Sequence, residues 1–155
     1  MIAVRVACGF SCTQLIPRTF QSIEWYRIAV KAARGVCSIW NTTDITVIFV
    51  DGKKMRAINK TYRGQDRITD VLSFLYPADM PGETAYGELY LCPEQIIRQS
   101  VRYGSARGSE YERVIVHGIL HIQGYDHITS PDRRRMNQLS SKILALLGKS
   151  GKRAV

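Results

Sequence analysis

The sequence predicts an α+β fold of mixed α/β character: a single domain whose small, mostly four-stranded mixed sheet packs on helices, with a histidine-bearing helix at the centre. Three observations carry this. Apolar segments with strand and helix periodicity follow one another in the order β-α-β-α-β-β-α-α-α. Hydrophobic residues make up 45% and charged residues 23%, close to globular averages and far from a disordered composition. The 155 residues show no repeat, linker or low-complexity stretch. A chain of this size buries roughly 70% of its unfolded surface, so it needs no disulfide or metal to reach a core.

Each element has its own signal. Ile2 to Ala7 is a short strand, followed by a loop ending at Pro17. Residues 18–38 read as one helix with Phe20, Ile23, Val30 and Ala33 on its apolar side. Asn41 to Asp44 is a loop, and Ile45 to Val50, β-branched and aromatic, is a central strand. Asp51 caps a short helix that runs to about Tyr62, and Gly64 to Arg67 is a polar loop. Val71 to Tyr76 and Tyr86 to Cys92 are strands separated by the breaker Pro77 to Gly82. Pro93 opens a helix to about Gly104, at the first turn where its missing N–H costs nothing. Ser109 to about Gly124 is the next helix, and Ser130-Pro131-Asp132 opens the last, ending near Gly148. The basic residues 149–155 are expected to fray.

Composition narrows the function classes. Ile45 to Val50, the longest clean apolar run, is far too short to span a bilayer. The first residues, MIAVRVACGFSC, lack the apolar stretch and cleavage site of a signal peptide, which predicts a cytoplasmic protein with no membrane partner. Cys8, Cys12, Cys37 and Cys92 contain no Cys-x-x-Cys pair and are expected to be free thiols. Cys8 and Cys12 make a poor half-site, because no histidine lies near them. The net charge of +9 favours a polyanionic partner.

The informative segment is His117-Gly118-Ile119-Leu120-His121-Ile122-Gln123-Gly124-Tyr125-Asp126-His127, which holds all three histidines of the chain. Residues four apart on a helix lie about 40° apart on one face, so His117 and His121 can point at one ion. Gly124 can end the helix in the left-handed conformation and let the chain return His127 to the same point. Three neutral imidazoles plus a water make a tetrahedral site with one open position, as in catalytic zinc. Ile115, Ile119 and Ile122 form an apolar stripe about half a turn away, so one side can pack while the other faces a cleft. Asp126 either orients a histidine or ends the loop. The spacing is that of the metzincin proteases, but their general-base Glu is here Gly118. Metal-bound water keeps its lowered pKa without that Glu, so what changes is the expected substrate.

These residues resemble the YbeY family of bacterial endoribonucleases. The resemblance rests on His117-Gly118, Leu120-His121 and Gly124 to His127, with Asn59, Tyr62-Arg63, Thr69 to Phe74, Gly87-Glu88-Leu89 and Met136 in the family's order. It covers about Asp44 to Leu146. Leu75 replaces a usual Pro, and Gly-Glu-Leu a commoner Gly-Asp-Ile. The resemblance implies a metal-dependent, single-strand-specific endoribonuclease with roles in 16S rRNA 3′-end maturation and ribosome quality control. It implies one zinc per chain, with nickel or another divalent ion able to take its place, held by His117, His121 and His127. Arg63 and His117 are the implied catalytic residues. The implied partners are rRNA of the small ribosomal subunit, a small-subunit ribosomal protein and a Ras-like GTPase.

The residues fit such chemistry. Negative charge builds on the non-bridging oxygens during RNA cleavage, and a guanidinium fork can bind two of them. Arg63 sits among Lys53, Lys54, Arg56, Lys60 and Arg67, with Asp66 the sole acid between Gly52 and Arg67. Lys60 and Arg67 are the other candidate substrate contacts, and the rest of the run is either backbone steering or a solvated face. Tyr62 is expected to pack at a strand edge rather than stack on a base, and Arg133 to Arg135 to form a mostly solvated face. The base is left open among Asp70, Glu88, Asp126 and the metal hydroxide alone; Asp70 can equally cap a helix or turn or orient a histidine, and Glu88 can simply sit at a sheet edge. Two other functions fit the composition: a metalloprotease-like hydrolase with a displaced base, and a non-catalytic ribosome-assembly factor with a structural histidine cluster.

Overall fold

The computed structural model describes residues 3–8, 13–38, 40, 42 and 44–151. The strands are β1 (Ala3–Cys8), β2 (Asp44–Phe49), β3 (Val71–Tyr76) and β4 (Tyr86–Leu91), and they form one sheet in the order β1-β2-β4-β3. β1, β2 and β4 are parallel, and β3 pairs antiparallel with β4 at one edge. The helices are α1 (Arg18–Gln21), α2 (Ile23–Val36), α3 (Gly52–Arg63), α4 (Pro93–Tyr103), α5 (Arg107–Ile122) and α6 (Ser130–Gly151). The predicted mixed sheet and element order are therefore observed, with β2 in the interior as expected.

Strand alternation splits the core in two. Ile45, Val47 and Phe49 of β2 and Leu89 and Leu91 of β4 face the larger cluster, built with α2, α4, α5 and α6. On the other face α3 alone packs: Met55 and Ile58 meet Leu72, Val50 and Cys92. α5 is the central helix, in contact with β3, β4, α2, α4 and α6. Its Ile115, Ile119 and Ile122 are all buried, as the apolar stripe predicted.

Some expectations shift. The single helix over residues 18–38 is two, because Ser22 is extended and its hydroxyl accepts the Glu24 N–H at 3.3 Å, capping α2. Phe20 is buried from α1, while Ile23 is 38% exposed and Tyr26 and Ala29 take its place inside. α6 continues to Gly151, three residues beyond the expected end, and residues 152–155 lie outside the described residues. Cys37 and Cys92 are free thiols, whereas Cys12 and the side chain of Cys8 are outside the described residues. No helix among the described residues is long and apolar enough to cross a membrane.

α5 lies close against the sheet because its Gly118 and the strand residue Gly87 carry no side chain at the contact. A Cβ on Gly118 would collide with Leu89 Cδ1 and stand 3.1 Å from Val71 Cγ2 and 3.2 Å from Ser73 Oγ. A Cβ on Gly87 would stand 2.6 Å from Ile122 Cγ2. Leu89 is fully buried and cannot swing into solvent. Gly118→Ala gains roughly 1 kcal/mol of helix propensity but overpacks the core at a cost of about 1–3 kcal/mol. The variant should unfold at lower urea concentration than the parent; an equal or higher midpoint would show that the helix has room to lift.

Candidate metal centre

α5 carries His117 and His121 on the side away from its isoleucines. It ends in a Schellman motif: Gly124 N–H donates to His121 O at 3.0 Å and Tyr125 N–H to Leu120 O at 3.1 Å. Gly124 has φ +87°, a conformation that L side chains rarely adopt, so the predicted stop is made by the residue expected to make it. The chain then turns back and delivers His127. One ring nitrogen from each histidine lies within 4.8 Å of the others. His117 Nε2 and His121 Nε2 are 3.0 Å apart.

This donor set fits a metal ion. Two nitrogens at about 2.0–2.1 Å from a tetrahedral zinc lie roughly 3.3 Å apart, a few tenths of an ångström from the separation seen. Asp126 accepts the His127 N–H at 2.7 Å and lies 3.6 Å from His127 Nδ1, so it both ends the loop and flanks the ring.

The histidines open into a cleft of about 400 Å³ between α5 and the free edge of β3. Arg63 and Asp70 both enter it by way of that edge. Arg63 Nη2 donates to Ser73 O at 3.2 Å, reaching across from α3. Asp70 Oδ1 accepts the Val71 N–H at 2.9 Å and the Thr69 hydroxyl at 3.2 Å. Asp70 is therefore both a cap on the strand and a wall of the cleft.

Other candidates lie elsewhere. Glu88 alternates with Gly87 and Leu89, which face α5, so its carboxylate is on the opposite side of the sheet from the histidines. Tyr76 and Tyr90 donate to Glu88 Oε2 at 3.1 and 3.0 Å, and burial together with this carboxylate pushes both phenols up to about 12. Glu88 is thereby removed as a base for this cleft. Lys60 and Arg67 do not line it. Lys60 and Arg56 bind Asp66 at 3.1 and 2.7 Å, and Arg67 Nε donates to Gln65. Tyr62 is on α3 rather than at a strand edge, 66% exposed, with its ring edge-on to Phe74. Arg135 leans back over the Tyr125 ring and donates to Ser38.

The residue not anticipated is Arg113, which lines the cleft one helical turn before His117. The same four-residue spacing that revealed the histidine pair would have found it. Gly118, at the position of the protease Glu, points into the sheet at Leu89, where no carboxylate fits. This removes the physical basis of a protease-like reading with a base in the usual place.

Burial and then repulsion from the neighbouring rings push His117 down to about 4, and burial also lowers His121. Both rings are thus neutral, the form that binds metal, across the physiological range. The folded-state value of His117 lies below its unfolded value of 6.5, so between the two the unfolded chain binds more protons. The stability of the metal-free protein should therefore be complete above pH 6.5 and fall as the pH drops towards 4. Urea midpoints measured in chelator across this range test it, and a His117→Gln variant should flatten the profile. A midpoint that rises on acidification would contradict the burial of neutral imidazole.

The family model described as Endoribonuclease YbeY matches residues 13–148. Curated proteins named Endoribonuclease YbeY are similar over much of their length. That of Thermodesulfovibrio yellowstonii is 40% identical over 105 residues, 66% of each chain. That of Paraburkholderia phymatum is 35% identical over 77% of this chain and 78% of its own. That of Stutzerimonas stutzeri is 30% identical over 96% of this chain and 89% of its own. A solution structure from Thermotoga maritima shares the fold, with a TM-score of 0.61 and 24% identity over 97% of this chain and 93% of that one. With the histidine motif, its cleft and a match over most of its length, the chain belongs to the YbeY endoribonuclease family.

Proposed function

We propose that this protein is a metal-dependent endoribonuclease specific for single-stranded RNA, acting in the cytoplasm on 16S rRNA 3′ ends and in ribosome quality control. One observation carries the reading: three imidazoles converge in an open cleft beside an arginine, within a chain of an endoribonuclease family. The same reading names small-subunit rRNA, a small-subunit ribosomal protein and a Ras-like GTPase as partners.

His117, His121 and His127 hold one divalent ion, zinc or another such as nickel. The bound ion supplies Lewis acidity and a water of lowered pKa. Arg63 positions the scissile phosphate and neutralises charge that builds on its oxygens, because its fork is already anchored at Ser73 O. Asp70 is a positioning residue: one oxygen is committed to Val71 and Thr69, and the other faces Arg113 at 3.8 Å. Lys60, tied to Asp66, and Arg67 act at most as remote steering charges.

His121→Ala should lose both bound metal and RNA cleavage, read by elemental analysis and by cleavage of a defined single-stranded RNA. Full metal content in that variant would remove the ligand assignment. Arg63→Ala should keep its metal and cleave about 10²–10³-fold more slowly; a parental rate would remove the role given to Arg63. Cleavage of unstructured peptides but not of RNA would favour the protease-like alternative. Normal rRNA maturation with a His-substituted chain would favour a non-catalytic assembly factor.

A further inference from the structure

Arg113, His117 and His121 follow one another at four-residue steps on α5, so the three side chains climb one face and line one cleft. The Arg113 guanidinium is fixed from behind. Its Nε and Nη2 both donate to Glu110 Oε1, at 3.1 and 2.6 Å. Glu110 is 4% exposed, and its other oxygen accepts the Ser105 hydroxyl at 3.1 Å. This buried carboxylate thus has both oxygens committed and holds the arginine in one orientation. A guanidinium has five N–H groups, and the edge turned to Glu110 uses only two of them. The rest lie on the other edge, where Nη2 is 3.8 Å from Asp70 Oδ2 and the side chain is 47% exposed. Nη1 bonds nothing among the described residues.

The two arginines reach the cleft from different elements. Arg63 comes from α3 across the strand edge, whereas Arg113 rises from α5 itself, one helical turn before His117. We propose that Arg113 is a second phosphate-binding residue, which grips the RNA backbone from α5 while Arg63 grips it at the edge of β3. A single strand is then held at two phosphates in the cleft that the histidines line. Glu110 is a positioning residue in this arrangement, because it acts only through Arg113. The inference rests on the endoribonuclease reading.

The test is steady-state cleavage of a defined single-stranded RNA by the metal-loaded full chain across a range of salt concentrations. Arg113→Gln should raise KM roughly tenfold at low salt, with the loss on KM rather than kcat, as expected for a backbone contact. The slope of log KM against log salt should shrink by about 0.7, the value for one phosphate contact to a single strand. Arg113→Lys should keep the slope, since it keeps the charge. Arg113→Gln leaves the Glu110 carboxylate buried without its partner, so Glu110→Gln/Arg113→Gln serves as the second variant and should show the same KM and slope. Metal content should be parental in all three. If the parent cleaves RNA and the double variant keeps the parental KM and slope, Arg113 is a structural ion pair and the inference fails. A fall in kcat alone in that variant would also overturn it, giving Arg113 a role only through Asp70. If the parent does not cleave RNA, the endoribonuclease reading fails, and this inference fails with it.

Discussion

The close approach of α5 to the sheet is the constraint on which the site depends. With no side chain at Gly118 and none at Gly87, the helix rests directly on Leu89 and presses Ile122 onto β4. Its inner face is then fully spent on packing, with Ile115, Ile119 and Ile122 all buried. The rotation that buries this stripe turns His117 and His121 towards the edge of the sheet. The depth of the contact also sets how far the rings stand above β3, and therefore the width of the cleft. The residue after the first histidine belongs to this packing rather than to the chemistry. A glutamate there would lift the helix off the sheet before it reached any ion.

The second constraint is the free edge of β3. An edge strand offers unpaired backbone groups that invite association, and proteins cap or cover them. Here the caps are side chains that line the cleft. Asp70 takes the Val71 N–H, and Arg63 gives a hydrogen bond to the Ser73 carbonyl. Both side chains are thus immobilised by backbone that would otherwise be unsatisfied, and both are delivered to one wall of the cleft. The Ser73 bond restricts the Arg63 side chain before anything enters the cleft. The antiparallel position of β3 at the sheet edge makes this possible, because an interior strand would have no such groups to offer.

Much of this was legible in the chain, and the exceptions have physical causes. β3 spans Val71–Tyr76, ending before the breaker at Pro77 as read, and Gly124 stops α5 through the backbone geometry expected of it. The split at Ser22 was hidden because helical periodicity continues across it, while the capping hydroxyl decides locally for a break. Glu88 shows a different limit. Alternation says that it faces away from Leu89, but which face meets α5 depends on Gly87 lying under Ile122, a tertiary contact. The basic run from Lys53 to Arg67 offered Lys60 and Arg67 as substrate contacts beside Arg63. The turn at Gly64 instead brings Asp66 back onto Arg56 and Lys60 and partly neutralises it. Arg113 escaped notice because it stands outside that run, although its spacing from His117 carries the information.

Charge is therefore divided between two tasks. The cleft is lined by Arg63 and Arg113 against Asp70 and Asp126, a formal balance, and the half-buried His117 and His121 add nothing while they stay neutral. The chain's excess of +9 lies on other surfaces, including the exposed side of α3 and the arginines at the start of α6. Such distributed charge draws a polyanion in over about a Debye length without choosing where it binds. Choice belongs to the cleft. Its two guanidiniums are each fixed by a specific acceptor, and Asp70 and Asp126 are each turned to a backbone N–H. A balanced floor has a further consequence: an ion held by the three imidazoles would give the cleft its net positive charge. Burial keeps His117 and His121 from supplying that charge by protonation.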